Sequence, residues 1–269
     1  MQNNWAEAAY IDYAFKRMGL DDVALKYKKG RRTVQRNFAK LNSKNYLPDL
    51  KDKHINLVFD GVYFGRRLCW LVFRSDGVNI YYKRVAWETI AEIAQSLKDI
   101  EALGYSFKSF TIDGKKGLVE HLQAAYPNVP VQHCQFHQKQ TIRQCITLNP
   151  KTQCGIELKA LTDKLCEHDY DSFSAAYAAL KQRWSYYLKE RNESKEFKHR
   201  KLRRAFRSLK KNLPKLFTYR SFERLKIPST TNSCEGYFGQ LKSKVRVHSG
   251  LRLNNKIKLI ETLLNNTNL

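Results

Sequence analysis

The sequence predicts an α/β fold: a mixed five-stranded sheet with flanking helices, an all-helical insertion, and a small helical module in front. Three observations predict it. Apolar runs of strand length at 54–60, 67–74 and 78–86 give way to helical periodicity that alternates with two further strand-like runs. Residues 150–227 carry helical patterning alone. Residues 4–42 read as three short helices, set off from the rest by a polar segment, 42–53, that contains Pro48.

In the leading module (1–45), Trp5, Ala8, Ala9 and Phe15 pattern a first helix and Val23, Ala24 and Tyr27 a second. A turn at Lys28-Lys29-Gly30 follows. In the third helix Val34, Phe38 and Leu41 face inward, whereas Arg31, Arg32, Gln35 and Arg36 point outward. This is the layout of a helix-turn-helix whose second helix enters a DNA major groove. The plainer alternative is a basic packing arm.

The strands at 67–74 and 78–86 are rich in β-branched and aromatic residues, and Ser75-Asp76-Gly77 supplies a hairpin turn between them. Ile90, Ile93, Ala94, Leu97 and Ile100 then mark a helix from Trp87 that stops near Gly104. A fourth strand is expected at 107–112, a helix at 115–126, a fifth strand at 129–133 and a helix at 136–148. Right-handed crossovers place the fourth strand beside the first and parallel to it, in spatial order 3-2-1-4-5. That order is the ribonuclease-H-like arrangement, with its first part at 46–149 and the helical insertion at 150–227. Pro228 precedes a closing segment, 228–269, with helices near 231–245 and 254–265.

The formal net charge is +24, and residues 181–258 hold 23 basic against 5 acidic residues, so +18 of it is concentrated in one region. Double-stranded DNA is the expected partner. A solvated basic helix bundle or a surface for anionic lipids is the bland alternative. Tyr186, Tyr187, Phe197, Phe206, Phe217, Tyr219 and Phe222 interleave with these charges, although helical spacing implies that most of the seven pack inward. The six cysteines are scattered and no signal-like segment begins the chain, which points to free thiols and a cytoplasmic setting. No apolar run reaches the roughly 18 residues that span a bilayer.

Three acids carry the chemistry. Asp60 and Asp113 close strand-like runs, each followed by glycine, and Glu235 opens a helix after the insertion. Together they suit two Mg²⁺ ions roughly 3.5–4 Å apart, with Mn²⁺ as a substitute. A single strand-ending Asp-Gly is more often a mere turn; two at equivalent positions plus a helix-borne Glu weaken that alternative. Cys134 and His137 have the spacing of half a zinc site, but no second pair lies nearby, so a buried thiol and a hydrogen-bonded imidazole are expected.

The segments Leu57-Val-Phe-Asp60-Gly61, Thr111-Ile-Asp113-Gly114, Val131-Gln-His-Cys134-Gln-Phe-His137-Gln and Thr230-Thr-Asn-Ser-Cys-Glu235-Gly, in that order, resemble the DDE transposases of bacterial insertion sequences related to Mutator-like elements. The resemblance covers most of residues 54–250. It implies a metal-binding triad of Asp60, Asp113 and Glu235 that cuts and joins DNA, with Cys134 and His137 as a motif near the site. It also implies binding of terminal inverted repeats and target DNA by a homodimer or larger assembly near the nucleoid. Arg31, Arg32, Gln35 and Arg36 are the expected groove contacts. Arg200, Arg203, Arg204 and Arg207, with Lys242, Lys244 and Arg246, are the expected phosphate contacts. The chain departs from some relatives in having no Cys-rich zinc ribbon before the catalytic part. An inactive DNA-binding regulator and a nuclease without strand transfer remain alternatives.

Overall fold

The computed structural model describes residues 4–41, 50–66 and 68–265. Most of the polar segment expected at 42–53 lies outside them, as does residue 67 of the second expected strand. The chain order begins α1 (Asn4–Phe15), α2 (Leu20–Lys26), α3 (Arg31–Lys40), β1 (His54–Tyr63), β2 (Cys69–Ser75), β3 (Val78–Val85), α4 (Ile90–Ala102), β4 (Ser106–Ile112), α5 (Leu118–Ala125), β5 (Val131–His133) and α6 (Gln135–Ile146). There follow α7 (Gln153–Asp163), α8 (Tyr170–Arg183), α9 (Ser185–Lys189), α10 (Arg200–Leu216), α11 (Thr218–Ser221), α12 (Asn232–Val247) and α13 (Leu253–Leu264). The sheet is mixed and ordered β3-β2-β1-β4-β5. β2 and β3 pair antiparallel, and β1 with β4 and β4 with β5 pair parallel. The expected α/β class and strand order are therefore present.

Contacts divide the chain into two compact units, one of Met1–Asp52, Gly61–Leu103 and Ser233–Leu269, the other of Lys53–Asp60 and Gly104–Asn232. In the first, Asp76 and Gly77 both take positive φ (48° and 81°), which is what a tight hairpin between right-twisted strands requires. The Tyr81 hydroxyl on β3 donates to Asp99 (2.7 Å) and Lys83 pairs with Glu92 (2.9 Å), fastening α4 to β3. Buried Asn79 donates to the Tyr237 hydroxyl (2.7 Å) and to the Leu264 carbonyl (2.8 Å), which fixes α12 and α13 against the hairpin.

The three leading helices are not freestanding. Lys258 on α13 donates to the Phe38 and Ala39 carbonyls, Lys244 on α12 to the Phe15 carbonyl (3.0 Å), and the His248 imidazole bonds the Tyr13 carbonyl (3.0 Å). Inside the three-helix group, the buried Asp12 carboxylate accepts from Lys16, Lys26 and Tyr27 at 2.5–2.8 Å. The Lys16, Lys26 and Tyr27 bonds hold its carboxyl well below the usual carboxylate range. Because the folded value is depressed, the stabilisation is full above the ordinary Asp value of about 4 and is lost as pH falls through the folded value. Asp12→Asn is expected to cost about 1–3 kcal/mol at neutral pH, since both lysine ammonium groups are partly exposed. Thermal unfolding should show the gap between variant and wild type narrowing below about pH 4.

In the second unit the helical segment packs directly on the parallel strands instead of looping away. α10 lies against α6 and β5, and α11 against β5. The side-chain amides of Gln132 and Gln135 both donate to the Leu216 carbonyl (2.9 Å each), and Thr218 donates to the Val131 carbonyl (2.9 Å). Ile142 and Ile146 of α6 share one apolar core with Leu158, Phe173, Phe206, Leu209 and Phe217 of the helical segment. Of the seven interleaved aromatics only Phe206 and Phe217 are buried; Tyr186 and Phe222 are exposed and the other three half-buried. α5 starts three residues later than the periodicity indicates because Gly117 takes φ 82°, outside helical space.

Candidate active site

β1 and β4 run parallel with Val58 opposite Thr111. Two residues further along each chain stand Asp60, still within β1, and Asp113, one residue past β4. Equal steps past the last β1–β4 pair bring both residues to the carboxyl side of the paired segment, where open sheets bind ligands. β1 itself runs three residues beyond Asp60, to Tyr63, so Asp60 does not close its strand as the sequence indicates, whereas Asp113 does follow the end of β4. Both residues are half-buried. The Lys115 amide donates to Asp113 Oδ1 at 3.2 Å, bending the chain back over the strand end. A Cβ at Gly114 would touch Asn212 Nδ2 (3.8 Å) and His133 Nδ1 (3.9 Å), so these two groups border the Asp113 loop.

His133 closes β5, opposite Ile112. Burial pushes its imidazole down to about 4 against the pull of the Asp113 charge, with Lys211 and Lys215 pushing the same way as burial. It is therefore a neutral group at pH 7, able to donate and to accept. Its neighbours Asn212, Lys211 and Lys215 come from the end of α10. Arg200, Arg204, Arg207, Lys211 and Lys215 form one helical stripe, which runs two turns beyond Arg207, the last of the phosphate contacts expected there. Extending the period finds the lysines; His133 gives no signal beyond its place at a strand end.

The next residue, Cys134, is the N-cap of α6. Its sulfur accepts from the His137 amide (3.5 Å) and from both the amide and the hydroxyl of Thr231 (3.2 Å each), and that hydroxyl also lies 3.2 Å from His137 Nδ1. Burial raises the Cys134 thiol, but the bonds from His137 and Thr231 outweigh it and the net shift is downward. The pair thus ties β5 and α6 to the segment ahead of α12. The Thr111 hydroxyl donates to the Pro228 carbonyl (2.7 Å) and the Gln135 backbone amide to the Ser229 carbonyl (3.0 Å), pinning the same segment to β4 and α6.

Glu235 lies in the first turn of α12, four residues or about one helical turn beyond Thr231. It is half-buried and belongs to the first unit, whereas Asp60 and Asp113 belong to the second. Among the described residues no three His, Cys, Asp or Glu side chains form a group that would hold a metal ion. By donor chemistry alone, Asp60 and Asp113 are residues of the second unit that could hold Mg²⁺, a hard cation commonly bound by one or two carboxylates with water and phosphate oxygens.

The expected DNA contacts divide by what their side chains do. Arg200, Arg204 and Arg207 are exposed along α10, and Arg200 pairs with Glu196. Arg203 serves the fold: its guanidinium lies over the Phe197 ring (3.4 Å) and donates to the Leu188 carbonyl (2.7 Å). On α12, Lys242 and Arg246 are exposed and Lys244 is spent on the Phe15 carbonyl. On α3, Arg31, Arg32, Gln35 and Arg36 are all exposed, and Arg31 makes a two-point contact with Asp21 (2.9 and 3.0 Å).

Residues 94–268 match the sequence profile described as Transposase, Mutator family. The chain belongs to the Mutator family of transposases. The match contains Asp113, Cys134, His137 and Glu235 and begins after Asp60 and the three leading helices. No curated protein matches the chain. Membership in the Mutator family implies an enzyme that binds DNA and cleaves or transfers its strands. Among the described residues no helix of this Mutator-family chain is long and apolar enough to cross a membrane.

Proposed function

We propose that this transposase is a DDE enzyme with a ribonuclease-H-like catalytic core, in which Asp60, Asp113 and Glu235 hold two Mg²⁺ ions against DNA at the ends of its element. The observation that carries the reading is that Asp60 and Asp113 each follow by two residues the last pair, Val58 with Thr111, of the parallel strands β1 and β4. The pinning of the segment ahead of Glu235 to the ends of β4 and β5 supports the third acid. Bound magnesium supplies charge neutralisation at the scissile phosphate and acidifies the attacking hydroxyl.

The residues of the chain supply the remainder. In hydrolysis a water oxygen bonds phosphorus, the P–O3′ bond breaks and a free 3′-hydroxyl leaves. In joining, that hydroxyl bonds a target phosphorus while the target's own P–O3′ bond breaks. Neither step needs a protein nucleophile. Lys211 and Lys215 offer positive charge to the phosphate beside the carboxylates, and neutral His133 offers hydrogen bonding without adding charge. The test is to incubate the protein and Mg²⁺ with labelled element-end duplex and look for strand-transfer products; cleavage without them would leave a nuclease.

In the same reading α3 is the second helix of a helix-turn-helix that reads the element ends, and the α10 stripe grips backbone. Gln35→Ala is expected to cut the preference for element-end over scrambled duplex by about tenfold, in line with the roughly 1–3 kcal/mol of a bidentate base contact. Arg204→Ala is expected to weaken both duplexes alike and lower the salt slope by about one. Competition binding at several salt concentrations separates them, and identical behaviour of the two variants would defeat the division.

A further inference from the structure

The outer face of α3 does not open onto free solvent alone. It forms one wall of a groove of about 920 Å³ whose other wall is the turn at 247–252 and the first turn of α13. Arg31, Arg32, Gln35 and Arg36 line the first wall, and Arg252 and Asn255 the second. No carboxylate is among the described residues that line it. Among the described residues Arg31 alone of the four arginines has an ion pair, with Asp21 outside the groove.

The two walls are fixed to each other within one unit. His248 bonds the Tyr13 carbonyl and lies against the Tyr13 ring with centroids 3.9 Å apart, and Lys258 holds the carbonyls at the end of α3. Arg252 therefore stands at a set distance from α3. A trench with guanidinium groups on both sides suits an extended polyanion whose charges pass between them, and guanidinium matches phosphate with paired donors.

We propose that the turn at 247–252 is part of the DNA-binding surface, with Arg252 gripping a backbone phosphate of the duplex that α3 reads. This rests on the reading of α3 as a DNA-binding helix. A phosphate contact carries no sequence information, so the duplex needs none. Its role is to fix the height and angle at which α3 meets the groove.

The test uses the full chain and a fluorescent duplex of arbitrary sequence, about 30 base pairs long, titrated across salt concentrations. Arg252→Ala is expected to weaken binding about 5- to 10-fold and to lower the slope of log K against log salt by about one. Arg252→Lys should recover the slope and only part of the affinity. Arg84→Ala, which removes an exposed charge on β3, should change neither. The Arg252 side chain makes no capping bond to α13, so Arg252→Ala should melt with the wild type. Wild-type affinity and slope in Arg252→Ala, or an equal loss in Arg84→Ala, overturns the proposal. Arg36→Ala separates the two ideas: if it weakens binding while Arg252→Ala does not, only the second wall is wrong. If neither weakens binding, the reading of α3 falls as well.

Discussion

Asp113→Asn is expected to fold, to bind DNA, and to cleave it about 10³-fold more slowly, a loss of about 4 kcal/mol of transition-state stabilisation. The carboxamide keeps the shape of the carboxylate and can keep the Lys115 amide bond, so stability should change little. What it loses is the negative charge that would hold a divalent cation. An indirect effect through His133 runs the wrong way to explain such a loss. The Asp113 charge raises the imidazole, so removing it drives a value already near 4 lower, and His133 stays neutral at pH 7 in both proteins. Asp60→Asn should behave alike, because both residues stand two positions past the last pair of β1 with β4. Single-turnover cleavage of labelled duplex measures both; rates within a factor of about ten of wild type would contradict the assignment.

Phe217→Ala is expected to produce the largest loss of stability, about 3–5 kcal/mol. Phe217 is 1 % exposed, packs against Phe173 (centroids 5.5 Å apart) and sits at the junction of α10 and α11. The cavity it leaves adjoins Thr218, and the bonds of Thr218 and Gln132 join the helical segment to β5, so backbone collapse to fill the void is opposed. For a chain of this size the melting temperature should fall on the order of 10 °C. Phe222→Ala, at 46 % exposure, should stay within about 0.5 kcal/mol of wild type. Calorimetric melting curves for both variants check the contrast, and similar curves would mean that the shared core is not what holds the second unit together.

Period and punctuation made the sheet legible. Strand-length apolar runs, one Asp-Gly turn and the helix between the third and fourth runs are enough for right-handed crossovers to set the order 3-2-1-4-5. The parallel pairing of β1 with β4 was legible for the same reason, and with it the nearness of the two segments that carry Asp60 and Asp113, although the run of β1 on to Tyr63 was not. Tertiary arrangements with no local signature were not. Nothing in the periodicity of α10 says that it lies on α6 and β5, and so nothing placed Lys211 and Lys215 near His133 or Asn212 beside Gly114. Likewise Arg203 and Lys244 look like free surface charges in sequence, and only the positions of Phe197 and of the Phe15 carbonyl reveal that the fold uses them. The second wall of the α3 groove comes from more than 200 residues away, which no window of the sequence can join.

Cation binding tests, without reference to turnover, whether three carboxylates share divalent ions. Mn²⁺ should be titrated calorimetrically into the wild type and into Asp60→Asn, Asp113→Asn and Glu235→Gln, each with an uncleavable element-end duplex bound. The expected result is that every one of the three substitutions weakens Mn²⁺ binding at least about tenfold or removes one binding event. Wild-type affinity and stoichiometry in all three variants would contradict the account.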